Sequence, residues 1–384
     1  MNTTDKDSID QTRWDAAVIG AGPAGTVAAY RLAQSGHSVL LIEKSPFPRY
    51  KVCGGCLNAR AVSIMKTTGL HSALSELDGQ SIHRFSLLTN KRRVDLDLPE
   101  GLAVSRAALD AALARAAVST GVRFLDGTRA TLEQRDEQGW TLSLQRQETS
   151  ISISTRYVLA AGGLGLKLRN TIKTTVRPRA RIGAGALFYS TDMPLEPGVI
   201  SMAVSRHGYV GMVRVEDGQL NIAAAFDVEF VRRHGTPAEA AAHALASSGT
   251  PIPKEMAEAR WRGTPPLMQA PSDVAADRLL LIGDAAGYVE PFTGEGMAWA
   301  FESGYEAANI VIEHADSPEK VAAQWRMLHR RLFRQSQRRC RIVALGLRHP
   351  LLVDVAATAL KRHPGLAQPI LRRLNEPVSM QRST

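Results

Sequence analysis

Residues 20–25 read Gly-Ala-Gly-Pro-Ala-Gly, a G-x-G-x-x-G element set between a short apolar run and a helical segment. No other feature of the chain narrows its fold as much. Asp15–Gly20 (DAAVIG) reads as a buried parallel strand, Pro23–Gln34 as a helix ended by Gly36, and His37–Glu43 (HSVLLIE) as a second buried strand. Together they make a β-α-β unit. Gly20 permits the tight turn, Gly22 lets the backbone approach a pyrophosphate, and Gly25 lets the helix lie close to the strand. Ala29 and Gly36 follow at a spacing suited to close helix–sheet packing. The helix start, with Ala24 in its first turn, offers free N–H groups and partial positive charge to phosphates. Glu43, followed by Lys44, closes the second strand, where its carboxylate can accept hydrogen bonds from adenosine ribose hydroxyls. A glycine-rich turn without a ligand is the plain alternative, and the completeness of the unit argues against it. The hexapeptide alone does not separate FAD from NAD.

The chain has 384 residues, 44% hydrophobic and 22% charged, which excludes a disordered chain and fits a soluble globular enzyme of two interleaved lobes. Residues 44–60 read as a Pro/Gly-rich loop leading into a helix. Arg84–Leu98 alternates around a turn at Asn90–Lys91, and Ser105–Ser119 is an Ala-rich helix. Residues 140–161 read as strands returning to the first sheet. Residues 180–227 carry β-like runs separated by Gly and Asp-Gly turns, a second and mainly antiparallel sheet. Residues 237–248 are helical. Arg278–Gly283 is another buried strand, and a long helix starts near Gly296.

The formal charge of +10 is concentrated late in the chain. Lys320–Val353 has no Asp or Glu, while Arg326, Arg330, Arg331, Arg334, Arg338, Arg339 and Arg341 fall within it. A solvated helix face is the plain reading. Few aromatics are interleaved to stack on bases, so no nucleic-acid partner is expected. An anionic membrane surface suits a basic amphipathic helix better. No run of about 18 apolar residues occurs, so no transmembrane helix is expected. The polar N-terminus lacks the apolar core of a secretory leader. Three cysteines build no disulfide framework, which fits a reducing cytoplasm. The expected location is therefore cytoplasmic, with peripheral contact to the inner face of the membrane.

A second motif separates the cofactors. Asp277–Gly287 (DRLLLIGDAAG) is a strand that delivers Asp284 onto a Gly-flanked turn, and PFTGEGM at 291–297 opens a helix. With the fingerprint, these segments resemble the FAD-dependent aromatic hydroxylase and geranylgeranyl reductase superfamily from about Trp14 to about Asn309. The resemblance implies FAD as cofactor, with Asp284 on the ribityl chain. It also implies that the helix opening at Gly294, Gly296 and Met297 points at the flavin pyrimidine, where a helix N-terminus stabilises negative charge. Arg106 begins R-x-x-L-D-x-x-L and is implied to lie near the flavin; a surface arginine at a helix start is its plain alternative. Ala130, in Asp126–Ala130, matches a strand whose backbone touches the adenine.

The implied fold is α/β: a Rossmann-like FAD-binding domain with an inserted, mainly antiparallel β substrate domain, of the aromatic hydroxylase type. Residues 1–14 form an N-terminal tail. The FAD-binding domain is discontinuous over 15–80, 101–172 and 270–310. The substrate domain takes 81–100 and 173–269, and 311–384 is a C-terminal basic helical region.

Within the superfamily, Phe47–Leu57 is similar to the K-x-C-G-G segment of geranylgeranyl reductases, which passes along the flavin. The G-E-S and W-x-W-x-I-P segments of flavin halogenases are absent. Two positions depart from the family pattern. Gly162 stands where many members carry an Asp that serves FAD and NAD(P)H, although Arg169 is retained. Of the lipid-site motif Y-x-W-x-F-P only Tyr209 is kept, ahead of an expected hairpin at Asp217–Gly218. No second G-x-G-x-x-G exists, so the electron donor is either NAD(P)H or a reduced electron carrier.

Cys53 and Cys56 form one C-x-x-C, half a zinc site, and no metal is expected. Cys53 is the candidate acid, Cys56 a packed residue or one half of a redox pair, and Cys340 structural. His207, beside Tyr209, is expected at a strand start facing the substrate pocket. The leading expectation is an FAD-dependent oxidoreductase that reduces a C=C bond of a hydrophobic prenyl- or polyketide-type molecule. Reduced FAD gives a hydride to one carbon and Cys53 a proton to the other. The alternative is an FAD-dependent monooxygenase acting on an aromatic or quinol. A non-catalytic lipid binder of the Rab escort type would leave Gly20, Gly22, Gly25, Glu43 and Asp284 without a reason to coincide.

Overall fold

The computed structural model describes residues 13–376 except Lys91, Arg169, Asn170, Pro291 and Thr293. Residues 1–12 of the expected N-terminal tail and the retained Arg169 lie outside the described residues, while Arg13 and Trp14, expected in that tail, pair with Ser154 and Thr155 as the start of the first strand. The strands are β1 (Arg13–Ile19), β2 (Val39–Ile42), β3 (Cys56–Leu57), β4 (Gln80–Thr89), β5 (Arg92–Ala103), β6 (Arg123–Leu125), β7 (Arg129–Arg135), β8 (Trp140–Arg146) and β9 (Thr149–Ala160). They continue as β10 (Thr174–Val176), β11 (Ile182–Phe188), β12 (Val199–Ser205), β13 (Gly208–Arg214), β14 (Leu220–Phe226), β15 (Arg262–Pro266), β16 (Gln269–Pro271), β17 (Ala275–Ala276) and β18 (Leu279–Leu281). The helices used below are α1 (Pro23–Gln34), α2 (Ala59–Thr67), α3 (Arg106–Ser119), α4 (Pro237–Ser248), α5 (Gly296–His314), α6 (Pro318–Gly346), α7 (Pro350–Arg362) and α8 (Gln368–Asn375).

The first sheet runs β17-β18-β9-β1-β2-β6, with β8 and then β7 attached antiparallel to β9. β1 pairs parallel with β2 through Ala16↔Val39 to Ile19↔Ile42, and with β9 through Ile19↔Ala160. β18 joins β9 in parallel through Leu279↔Val158. Helices α1 and α5 cover one face and bury Val18, Leu41, Leu159 and Leu280, while the antiparallel strands β8 and β9 fold over the other and bury Ala17, Leu40, Val158 and Leu279. The helix α1 packs closely against α5, and a Cβ on Gly304 would stand 2.1 Å from the Ala24 carbonyl oxygen. Gly36 has φ +83 and open space around its Cβ position. Its role is the left-handed exit of α1, not the close packing expected of it.

The second sheet runs β15-β11-β14-β13-β12-β4-β5-β3 and is antiparallel except where β12 pairs parallel with β4. The hairpin turn at Asn90, with φ +42, and that at Asp217–Gly218, with φ +56 and +69, fall where the turn residues placed them. β5 runs on to Ala103, and Cys56–Leu57, read as loop, pairs with Ala103 and Leu102 at its edge. The chain therefore enters the second sheet before residue 81 and leaves it after residue 100.

The C-terminal basic region is not a separate unit. Trp325 of α6 is fully buried and its indole N–H donates to the Leu281 carbonyl at 3.0 Å. Val353 and Ala357 of α7 pack on Leu87, Val94 and Leu96 of the β4–β5 hairpin. α8 returns to α2, where Asn58 donates to the Leu374 carbonyl at 3.2 Å and Asn375 accepts from Ala59 N at 3.1 Å. The three helices thus bind both sheets.

Candidate active site

Strands β1, β2, β9 and β18 all deliver their C-terminal ends to one edge of the first sheet, the usual place for a ligand in an open α/β sheet. Gly20 follows β1, Glu43 follows β2, Gly162 follows β9 and Asp284 follows β18. Gly20 has φ +107, and any Cβ there would lie 2.5 Å from the Ala161 carbonyl oxygen; one on Gly25 would lie 1.9 Å from the Gly20 oxygen. Both positions thus require glycine. The two motifs meet directly, since a Cβ on Gly283 would stand 2.8 Å from the Ala24 Cβ. Ser303 of α5 holds this turn by accepting from Gly283 N at 2.8 Å. Gly22 is the N-cap of α1 and Glu295 that of α5, and neither helix start has a side-chain cap. Gly294, Gly296 and Met297 line the cavity together with Gly20, Gly22 and Ala24.

Glu43 is buried. One carboxylate oxygen accepts from Ala21 N at 3.2 Å and from Arg49, and the other from Ser45 N at 3.1 Å. Thr128 N donates to the Glu43 carbonyl at 2.9 Å, which sets Ala130 on the adjoining wall of the cavity. Arg106 is buried, so the surface reading of it fails. Its guanidinium grips Asp110 one turn on with two bonds, of 2.9 and 2.7 Å, and Nη2 would be 3.4 Å from a Cβ on Gly22. Arg49 binds Asp110 from the other side at 2.7 Å and lies over the Phe47 ring. Burial opposes the Asp110 charge, but Arg106 and then Arg49 hold its carboxyl below the usual range. The Lys51 ammonium is pushed down by burial and by Arg106, with Asp284 opposing. Lys44 and Lys51 both line the cavity beside Gly162–Gly165. The sequence reading missed Arg49, Lys51 and Asp110. The acid four residues after Arg106 was the signal available for Asp110.

The Lys51–Gly55 loop crosses the cavity with Cys53 on its wall. Asn221 of β14 anchors the loop by donating to the Cys53 carbonyl at 3.0 Å, and Gly55, at φ +70, accepts from Val104 N at 2.8 Å. Cys56 turns its thiol to the Gly54 carbonyl at 3.3 Å, and burial, with Cys53 adding to it, pushes that thiol up. None of the three cysteines is in a disulfide. The Tyr50 hydroxyl is buried without a hydrogen-bond partner, and burial pushes its phenol up. Tyr209 is buried in the cavity wall, edge-on to Phe292 at 5.1 Å, and burial followed by Glu290 raises its phenol. His207 does not face the cavity. It stacks on Phe230 at 5.0 Å and lies 3.7 Å from Asp227, because it falls in the turn between β12 and β13 and not on the strand that carries Tyr209. A Cβ on Gly162 would meet Leu166 Cδ1 at 2.8 Å, so a side chain at this position requires Leu166 to move.

The cavity has a volume of about 1710 Å³, well above the range of roughly 300–1,000 Å³ for a single small-molecule site. It takes a dinucleotide and leaves room for a second molecule. The residues fit FAD: backbone without side chains at Gly20 and Gly22, and the cations Lys44, Arg49, Lys51 and Arg106 for a pyrophosphate. Asp284 and Glu43 present carboxylates to the cavity that can accept hydrogen bonds from hydroxyls.

Fold and site together define a flavin-dependent oxidoreductase. The chain belongs to the FAD binding domain family, whose model matches residues 13–317. It is similar to menaquinone reductase of Mycobacterium tuberculosis, with 32% identity over 328 residues that cover 79% of this chain and 78% of the relative. It is also similar to digeranylgeranylglycerophospholipid reductase 1 of Methanothermobacter thermautotrophicus, with 28% identity over 78% of this chain and 77% of the relative. The flavin-dependent brominase Bmp2 shares the fold, with a TM-score of 0.77 over 95% of this chain and 94% of that one, at 17% identity. The protein is an FAD-dependent oxidoreductase that acts on a small molecule with a redox partner.

Proposed function

We propose that this protein reduces a carbon–carbon double bond in the chain of a prenyl-type lipid. One observation carries the reading. Beyond the residues around the fingerprint, the cavity continues between the second sheet and α7–α8 as a chamber walled by Phe85, Leu87, Leu96, Met202, Phe292 and Leu360. Such a chamber excludes water and holds an extended isoprenoid chain by burial alone. The two curated relatives above are named as reductases of lipids that carry isoprenoid chains, which supports the same class.

Bound FAD supplies the two-electron chemistry. The chain's own residues do the rest. Gly20, Gly22, Ala24 and Gly25, with Lys44 and Arg106, hold the pyrophosphate; Glu43 holds the ribose, Asp284 the ribityl chain and Ala130 the adenine. Gly294, Gly296 and Met297 bring the start of α5 to the flavin ring. Cys53 stands where the loop crosses from the flavin side to the apolar chamber, and its thiol gives the proton to the second carbon. Tyr209 shapes the chamber wall. Electrons come from NAD(P)H or a reduced carrier, and the protein works from the cytoplasm in contact with the inner face of the membrane.

The test is to reduce FAD-loaded protein without oxygen, add a prenylated quinone, and weigh the product. Gain of two hydrogens on the chain supports the proposal. Gain of one oxygen atom on the ring after air is admitted would replace it with hydroxylation.

A further inference from the structure

We infer that the outer face of α7 and α8 seats this protein on an anionic lipid bilayer, with the cavity mouth opening toward the acyl chains. α7 is apolar on two sides. Val353 and Ala357 face the β4–β5 hairpin, while Leu351 is 80% exposed, Leu352 58% and Val355 68%. Positions 351, 352, 355 and 356 fall on one stripe at helical spacing. A helix that is apolar all round has apolar neighbours all round, and the chain provides one on the inner side only. Ile342, Leu345, Leu366 and Ile370 are exposed as well, in the elements just before and after α7. An exposed apolar surface of this kind marks an interaction site.

Charge identifies the occupant. From Lys320 to Asn375 there are 13 Lys and Arg against a single acid, Asp354. That carboxylate is engaged with Asn90 at 3.3 Å. Lys361, Arg362, Arg372 and Arg373 are exposed beside the apolar stripe. Apolar side chains flanked by cations match acyl chains beneath anionic headgroups. A second copy of this chain would set cations against cations, and a nucleic acid would meet no aromatic ring among these exposed residues. No single helix among the described residues is long and apolar enough to cross a membrane, so the contact is in the plane of the interface.

The same face reaches the site. Ala356 and Ile370 are exposed and also line the cavity, and Leu360, Leu371 and Leu374 line it behind them. A lipid chain entering between α7 and α8 goes from bilayer to chamber without crossing water. This entry route rests on the prenyl-lipid reading; the docking face does not.

The test is sedimentation of the full-length, FAD-loaded protein with vesicles of phosphatidylcholine, with and without phosphatidylglycerol. The wild type is expected to bind the mixed vesicles and to be weakened by salt. A variant combining Leu351→Ser, Leu352→Ser and Val355→Ser is expected to bind about tenfold less with its flavin content unchanged. With prenylated quinone in vesicles, its KM should rise by a similar factor; with the quinone in detergent it should match the wild type. Arg372→Glu with Arg373→Glu should lose the preference for phosphatidylglycerol. Equal vesicle binding by the triple variant and the wild type would overturn the proposal. So would a wild-type dimer by light scattering that the triple variant turns into a monomer. Vesicle binding by a protein that reduces no prenyl lipid would uphold the docking face and overturn only the reductase reading.

Discussion

Arg49 reaches back along its loop to Glu43, placing Nη2 3.2 Å from the carboxylate Oε2, with the carboxylate buried and the guanidinium 11% exposed. A buried pair of this kind fixes geometry more than it adds stability, because desolvation cancels much of the attraction. The consequence here is a carboxylate held from three sides, by Ala21 N, Ser45 N and Arg49, on the cavity wall at the end of β2.

Glu43→Arg should therefore weaken FAD binding more than Glu43→Gln. The arginine puts a second guanidinium against Arg49, whereas glutamine keeps one acceptor. We expect at least about a tenfold gap between the two dissociation constants, which corresponds to about 1.4 kcal/mol. Flavin titration of both apo-variants measures it, and equal constants would reduce Glu43 to a strand end.

Asp284→Ala should release much of the flavin from a protein that otherwise purifies yellow with one FAD. Loss of hydrogen bonds to a charged acceptor is worth about 1.5–3 kcal/mol, or roughly a 10–100-fold weaker constant. The flavin-to-protein ratio after gel filtration reads the effect. A wild type that is colourless and cannot be reconstituted with FAD would contradict the site as a whole.

The thiols should separate. Cys53→Ala is expected to retain FAD and its reduction rate while losing about 10²–10⁴-fold in the substrate half-reaction, the usual contribution of a general acid. Cys56→Ala should be mild, since its thiol is turned to the Gly54 carbonyl of its own loop. Rapid mixing of both variants, with thiol titration of the oxidised wild type, decides this. Equal failure of both variants with two thiols missing would mean a redox disulfide.

Glu306 supplies a pH dependence of stability. Burial, followed by the nearby Glu302, raises its carboxyl to about 7. The folded protein holds this proton more tightly than the unfolded chain, so the stabilisation is full below the ordinary carboxylate range. It is lost as pH rises through the unfolded pKa toward about 7. Glu306→Gln should thus leave the Tm at pH about 4 nearly unchanged and stabilise at pH about 8 by about 1–3 kcal/mol. Thermal melts at the two pH values check it, and an equal shift at both would remove Glu306 as the cause.

Local spacing was enough for the first β-α-β unit, for Asp284 on its turn and for the strand–turn pattern of the second sheet. Turn chemistry and hydrophobic period act within a few residues, and Gly20 and Gly25 declare their backbone needs wherever they stand. Burial and pairing across the chain are different. Arg49 meets Asp110 from 61 residues away, and nothing near either one announces it. Arg106 is a helix-start arginine by sequence and became a buried cation only because α3 lies against the fingerprint. His207 parted from Tyr209 because the turn between β12 and β13 closes on it, leaving its ring against Phe230 while Tyr209 goes into the cavity wall. The basic C-terminal stretch showed its charge in the sequence. Its place over the cavity was decided by Trp325, Val353 and Leu374 finding their partners in three distant elements, a matter of which apolar surfaces could cover one another once the two sheets had formed.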